Sequence, residues 1–163
     1  MVIRAKEDND RRARLVLANA IAAHIDHPSL LVPIPSRKSA LRRRGYDHSY
    51  LLSKEVARLT GSRSQRILSV NRAIRDQTTV AHDERFTNIS GAYSVHPGNV
   101  GPEPVVLIDD LVTTGSSMRE AIRALKSAGT APVLLISACI ASHRLPNTIS
   151  PSPSDTWGWA IHE

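Results

Sequence analysis

The segment Val105-Val106-Leu107-Ile108-Asp109-Asp110-Leu111-Val112-Thr113-Thr114-Gly115-Ser116-Ser117 constrains the fold more than any other stretch of the chain. Four apolar residues without polar alternation predict a strand buried on both faces, the pattern of a central strand in a parallel sheet. Two acids stand where that strand ends, and a turn with one glycine and four hydroxyl residues leads into a helical period. Ligands of parallel sheets gather outside the carboxyl ends of the strands, so a site is expected at this junction. Backbone N–H groups of Thr113–Ser117 can converge on a phosphate, assisted by the helix N-terminus behind them. The hydroxyls add donors, and Gly115 lets the backbone approach closely. Carboxylates repel phosphate but accept hydrogen bonds from sugar hydroxyls. A phosphate cradle beside two such acceptors describes a ribose 5-phosphate site.

Three other readings compete. The turn lacks the second glycine and the lysine of a Walker loop, which argues against nucleotide hydrolysis. Paired aspartates after a strand could instead hold Mg²⁺, but that use does not require Thr-Thr-Gly-Ser-Ser to follow at once. The last reading is an ordinary strand, turn and capped helix, in which the coincidence of acids, hydroxyls and glycine goes unexplained.

The rest of the chain supplies an α/β frame. Arg11–Ile25 has helical spacing, with Leu15, Ala18, Ala22 and Ile25 on one face. Leu30–Pro35 reads as a strand running into a loop. Asp47 can cap a helix that turns Leu52, Val56 and Leu59 inward and stops at Gly61. Arg66–Val70 is a candidate strand, and the polar stretch Arg75–Asn88 reads as a mobile loop. After the phosphate turn, Ser117 and Glu120 fit a capping box. Met118, Ala121, Ile122, Leu125 and Ala128 then keep helical spacing to Gly129, and Pro132–Ala141 is the next strand. Strands alternating with helices imply a central, mostly parallel sheet flanked by helices. Residues 1–149 are expected to form this domain, and residues 150–163 a Pro/Ser linker with a Trp-containing tail.

The excess of basic residues, 21 Lys and Arg against 15 Asp and Glu, favours an anionic partner. It is concentrated in Ser36–Arg66, where Arg37, Lys38 and the run Arg42-Arg43-Arg44 lie. Arg37 and Lys38, in a loop at a strand end, could neutralise a pyrophosphate. The arginine run could equally be a solvated face or a nucleic-acid patch. With one cysteine, Cys139, there is neither an internal disulfide nor a Cys-rich zinc site, and the thiol reads as a core residue. No apolar stretch is long enough to span a bilayer, and the charged N-terminus is unlike a signal peptide, so the cytoplasm is expected. None of the seven histidines forms a convincing metal site. His48 reads as a surface residue, or alternatively as one that faces the pyrophosphate. Trp157 and Trp159 read as tail packing, with stacking on an acceptor base as the alternative.

Val105–Ser117 resembles the signature for phosphoribosyl pyrophosphate (PRPP) in type I phosphoribosyltransferases. The elements Val32-Pro33-Ile34-Pro35, Arg42/Arg44-Gly45-Tyr46, Gln77 and Glu84-Arg85 with Asn88 are together similar to the ComF family of that fold. Two features depart from the family. Asp47-His48 stands where Asn-Gln is usual, and the N-terminal four-cysteine zinc module of many members is missing.

The resemblance implies a type I phosphoribosyltransferase fold with a flexible loop over Arg75–Asn88. It implies that Asp109 and Asp110 hold the ribose hydroxyls and that Thr113, Thr114, Gly115, Ser116 and Ser117 hold the 5′-phosphate. Ser36, Arg37, Lys38 and Arg44 are then the pyrophosphate contacts, and Arg85 the contact from the flexible loop. Mg²⁺ would be bound mainly through PRPP, without a confident protein ligand. The expected activity is transfer of ribose 5-phosphate to an unidentified acceptor, a nitrogenous base by the family's habit. The alternatives are a non-catalytic PRPP-binding regulator and a competence factor that touches single-stranded DNA. No membrane partner is implied, and a homodimer is a candidate assembly.

Overall fold

The computed structural model describes residues 8–36, 38–71, 91–96, 100–101, 103–110, 115–130, 133–137 and 159–160. The elements are α1 (Arg11–Ala22), β1 (Leu30–Pro33), α2 (Lys38–Arg44), α3 (His48–Thr60), β2 (Arg63–Ser64) and β3 (Leu68–Val70). They continue with β4 (Tyr93–Val95), β5 (Val105–Asp109), α4 (Ser116–Ser127), β6 (Val133–Ser137) and β7 (Trp159–Ala160). Five strands form one sheet in the order β2-β1-β5-β6-β7. Every pairing in it is parallel. A separate antiparallel pair, β3 and β4, sets Leu68 opposite Val95.

The unbroken apolar runs of β1 and β5 have a direct structural cause. Successive side chains point to opposite faces of a sheet. Leu30, Val32, Val105 and Leu107 enter one core with Met118, Ala121, Ile122 and Leu125 of α4. Leu31, Val106 and Ile108 enter the other with Ala13, Leu17, Ala18 and Ile21 of α1 and Leu52 and Val56 of α3. Both faces are covered, so neither strand has a polar side. β5 lies between β1 and β6, with Leu107 beside Val32 and Leu135, and so runs centrally as its pattern requires.

Several local expectations shift. The buried face of α1 is Ala13, Arg14, Leu17, Ala18 and Ile21; Ala18 lies on the expected face, and Ala22 and Ile25 pack against the same core while only partly buried. Asp10 caps α1 by accepting from the N–H groups of Arg12 and Ala13, and the helix ends at Ala22. Arg14 is drawn in with the apolar side chains because its Nη1 donates to Asn9 Oδ1 at 2.8 Å. On α3, Asp47 is the N-cap and Gly61, at φ 68°, the C-cap, both as expected. Leu59, however, is exposed. The expected strand over Arg66–Val70 is shorter, and β2 pairs ahead of it with β1. Residues 150–163 contribute β7, whose Trp159 lies in register with Leu135 at the β6 edge.

The capping box at Ser117 and Glu120 is not formed. Gly115, at φ 70°, is the N-cap of α4 and offers no side chain. Glu120 is committed elsewhere, accepting from Arg123 Nε and Nη2 and from the backbone N–H groups of Gly91 and Tyr93. Burial alone would raise the pKa of Glu120. The Arg123 hydrogen bonds and charge, with the two N–H donors, outweigh it and hold the carboxyl below its ordinary range.

Candidate functional site at the carboxyl edge of the sheet

β1 and β5 lie side by side with Pro33 in register with Ile108, so both release the chain at the same edge of the sheet. From β1 the chain passes through Ile34, Pro35 and Ser36 to α2. From β5 it passes through Asp109 and Asp110 towards Gly115 and α4. The loop expected to carry a pyrophosphate and the turn expected to carry a ribose phosphate thus start from adjacent strands.

The two acids have different surroundings. Asp109 is half-buried, and its Oδ1 accepts from the backbone N–H of Asp110 at 2.9 Å. The Ser49 hydroxyl donates to the same oxygen at 3.5 Å, the outer limit for a hydrogen bond. Asp110 is only 2% exposed, and its Oδ2 lies 3.8 Å from His48 Nε2. His48 is itself 1% exposed, which overturns its expected surface position. The helical period already carried the signal. Residues 48, 52 and 56 lie one turn apart, so extending the inward face of Leu52 and Val56 backwards reaches His48. A polar residue in the first turn of a helix is easily mistaken for surface.

Asp47 links the other half of the site. Its Oδ1 accepts from the Ser36 hydroxyl at 3.0 Å and from Tyr50 N at 3.4 Å, and its Oδ2 lies 3.7 Å from Arg66 Nη2. Arg66 also stacks on the Tyr50 ring, 3.7 Å from its centroid. Sequence reasoning did not find this link, because Ser36, Asp47 and Arg66 belong to three separate segments.

Arg42, Arg43 and Arg44 form the last turn of α2, where cations complement the helix dipole. The chain turns at Gly45, φ 76°, whose N–H donates to Leu41 O. Arg42 and Arg43 are exposed. Arg44 turns inward, with Nε and Nη1 buried. Tyr46 of the same element accepts through its hydroxyl from Asn9 N at 3.0 Å, which ties this loop to the start of α1.

At the start of α4, Gly115 is buried and Ser116 and Ser117 are half-buried, with no side chain capping the helix. The expected contacts Arg37, Arg85, Thr113 and Thr114 lie outside the described residues, as do Gln77, Glu84, Asn88, Cys139 and Trp157. Lys38 opens α2. Among the described residues no three His, Cys, Asp or Glu side chains gather closely enough to hold a metal ion, and no helix is long and apolar enough to cross a membrane. An open groove lined by Ser29, Ser62, Arg63 and Glu103 lies at the opposite, amino-terminal edge of β1.

A parallel sheet covered on both faces, with paired acids at the end of its central strand and a glycine-led helix beyond, is the type I phosphoribosyltransferase-like α/β fold. The chain belongs to the family described as the phosphoribosyl transferase domain, whose model matches residues 54–149, more than half of its length. It is also a distant homologue of competence protein F of Haemophilus influenzae, 29% identical over 105 residues. That match covers 63% of this chain and 46% of the relative, so the chain spans about half the length of the relative it matches.

Solved structures share the fold at low identity. Glutamine PRPP amidotransferase from B. subtilis superposes with a TM-score of 0.55 at 22% identity, covering 77% of this chain and 26% of that one. A hypoxanthine phosphoribosyltransferase from Staphylococcus aureus gives 0.51 at 11%, covering 92% and 73%. Adenine phosphoribosyltransferase from Giardia lamblia, complexed with 9-deazaadenine, gives 0.51 at 14%, covering 83% of each chain.

Proposed function

We propose that the protein binds PRPP at the carboxyl edge of β1 and β5 and transfers its ribose 5-phosphate to a nitrogenous-base acceptor, releasing pyrophosphate. The observation that carries this reading is the sequence of groups along one strand end. Asp109 and Asp110 close β5, and Gly115, in the left-handed conformation, opens α4 without a side-chain cap. Along the chain, acceptors suited to a diol thus precede by a few residues the N–H groups suited to a phosphate.

In the reaction the C1′–O bond breaks, its electron pair leaves with the pyrophosphate, and the lone pair of the acceptor nitrogen forms the new C1′–N bond. Any proton on that nitrogen is released. No protein nucleophile is needed, because the protein's share is positioning and charge stabilisation. Asp109, the more accessible acid, takes a ribose hydroxyl, and Asp110 supports the ring from within. Gly115, Ser116 and Ser117 hold the 5′-phosphate together with Thr113 and Thr114. Ser36, Arg37, Lys38, Arg44 and Arg85 are the proposed contacts of the leaving pyrophosphate. Mg²⁺ would be held mainly through PRPP, without a confident protein ligand, and would offset the charge of the leaving group.

Titration calorimetry with PRPP and Mg²⁺, paired with a pyrophosphate-release assay over purine and pyrimidine bases, tests the reading. Binding with release supports it and names the acceptor. Binding without release from any base replaces the enzyme with a PRPP-binding regulator. Asp109→Asn with Asp110→Asn is expected to abolish binding, and unchanged affinity would refute the diol assignment.

A second reading starts from the exposed Arg42 and Arg43 and the similarity to competence protein F. Two neighbouring cations on a helix end suit the phosphates of single-stranded DNA. Such binding should weaken with salt and with Arg42→Ala/Arg43→Ala. Binding that ignores both changes would eliminate this reading.

A further inference from the structure

We propose that His48 is a positioning residue for the diacid, and that Asp47, His48 and Ser49 together bracket the two halves of the site. This proposal rests on the PRPP-binding reading above. Three consecutive side chains at the start of α3 reach three separate points. The Asp47 carboxylate accepts from the Ser36 hydroxyl at 3.0 Å, on the pyrophosphate side. His48 Nε2 lies 3.8 Å from Asp110 Oδ2, and the Ser49 hydroxyl donates to Asp109 Oδ1 at 3.5 Å, both on the ribose side. Side chains along a helix turn by roughly 100° per residue, so neighbours fan outward and cannot crowd one partner. Here the fan matches the geometry of the site, with one residue for the loop and one for each acid.

His48 has the central role because its surroundings are the driest. The side chains of His48 and Asp110 are 1% and 3% exposed, so their interaction is poorly screened by water. The neighbouring acid has its own anchors, since Asp109 Oδ1 accepts from the backbone N–H of Asp110 and from the Ser49 hydroxyl. Ser49 and Ser53, one turn apart, continue the anchoring. The Ser53 hydroxyl meets that of Ser64 at 2.7 Å and ties α3 to β2. The bracket is thus fixed to the sheet at its far end.

Two substitutions separate positioning from space filling. His48→Leu keeps the bulk and removes the polar edge, whereas His48→Gln keeps a polar group of similar reach. PRPP affinity, read by calorimetry with Mg²⁺, should fall about tenfold or more in His48→Leu and return most of the way in His48→Gln. A leucine variant that binds like the wild type, or a glutamine variant no better than leucine, would overturn the proposal.

A long-range ¹H–¹⁵N spectrum of the imidazoles gives a test that needs no ligand and no leucine variant. Asp110→Asn should move the ring nitrogens of His48 and leave those of the exposed His27 in place. If they do not move, the pairing is refuted whatever PRPP does. If they move but the wild type binds no PRPP, the bracket stands and the PRPP reading falls.

Discussion

Arg123 grips Glu120 with two hydrogen bonds of 2.7 Å, Nε to Oε2 and Nη2 to Oε1, one turn apart on α4. Glu120 is 5% exposed and also takes the N–H groups of Gly91 and Tyr93. One carboxylate thus joins α4 to the strand pair of β3 and β4.

Removing that charge should make stability less sensitive to acid. The pKa of Glu120 is lowered in the folded state from an ordinary value of 4.5. Its stabilising contribution is therefore complete above that value and is lost as the pH falls through the lowered one. Glu120→Gln should cost about 1–3 kcal/mol at neutral pH, with the difference from wild type shrinking below the ordinary carboxylate pKa. Urea unfolding at several pH values checks this, and a difference that stays constant down to strong acid would contradict it.

Gly115 and Gly129 form a matched pair for a second prediction. Both have φ in the left-handed region, 70° and 74°. Alanine at either should cost about 1–2 kcal/mol of stability from backbone strain. Only Gly115 belongs to the proposed phosphate site, so Gly115→Ala should also weaken PRPP binding while Gly129→Ala leaves it unchanged. Equal effects of both substitutions on binding would mean that the turn is not the phosphate site.

Asp47→Ala should destabilise the protein by about 0.5–2 kcal/mol, the usual range for a lost N-cap. It also releases Ser36 and Arg66. Asp47→Asn keeps a capping oxygen and should retain most of the stability. Thermal melting of the pair decides the point, and two equally destabilised variants would show that the charge matters and the cap does not.

Leu107 tests the core. It is fully buried in the central strand, beside Val32 and Leu135. Leu107→Ala should cost about 2–5 kcal/mol in equilibrium unfolding. A loss well under 1 kcal/mol would mean that the sheet is covered on one face only.

Much of the fold was legible because its signals are local. The apolar run Val105–Ile108 announces a strand buried on both faces, and α4 and α1 provide the two covers. Asp47 and Gly61 mark the ends of α3 by their own backbone chemistry. The misreadings came from competition between neighbours. Ser117 and Glu120 have capping-box spacing, but Gly115 caps the helix two residues earlier and Arg123 with two backbone donors claims the carboxylate. The inward face of α1 was legible only in part: Ala18, Ala22 and Ile25 meet the core, but Arg14 is buried through its contact with Asn9, and hydrophobic spacing carries no trace of that bond.

The sequence by itself determined the order of strand, acids, glycine and helix. Those groups are consecutive, so their placement at one strand end follows from chain connectivity. Only the tertiary structure decided what surrounds them. Packing α3 against β1 and β5 brings residues 47, 48 and 49 to Ser36, Asp110 and Asp109, and makes one acid buried and the other accessible. Such pairings join residues up to 62 positions apart, His48 and Asp110 among them, and no local pattern encodes them. Burial of both sheet faces drives that packing.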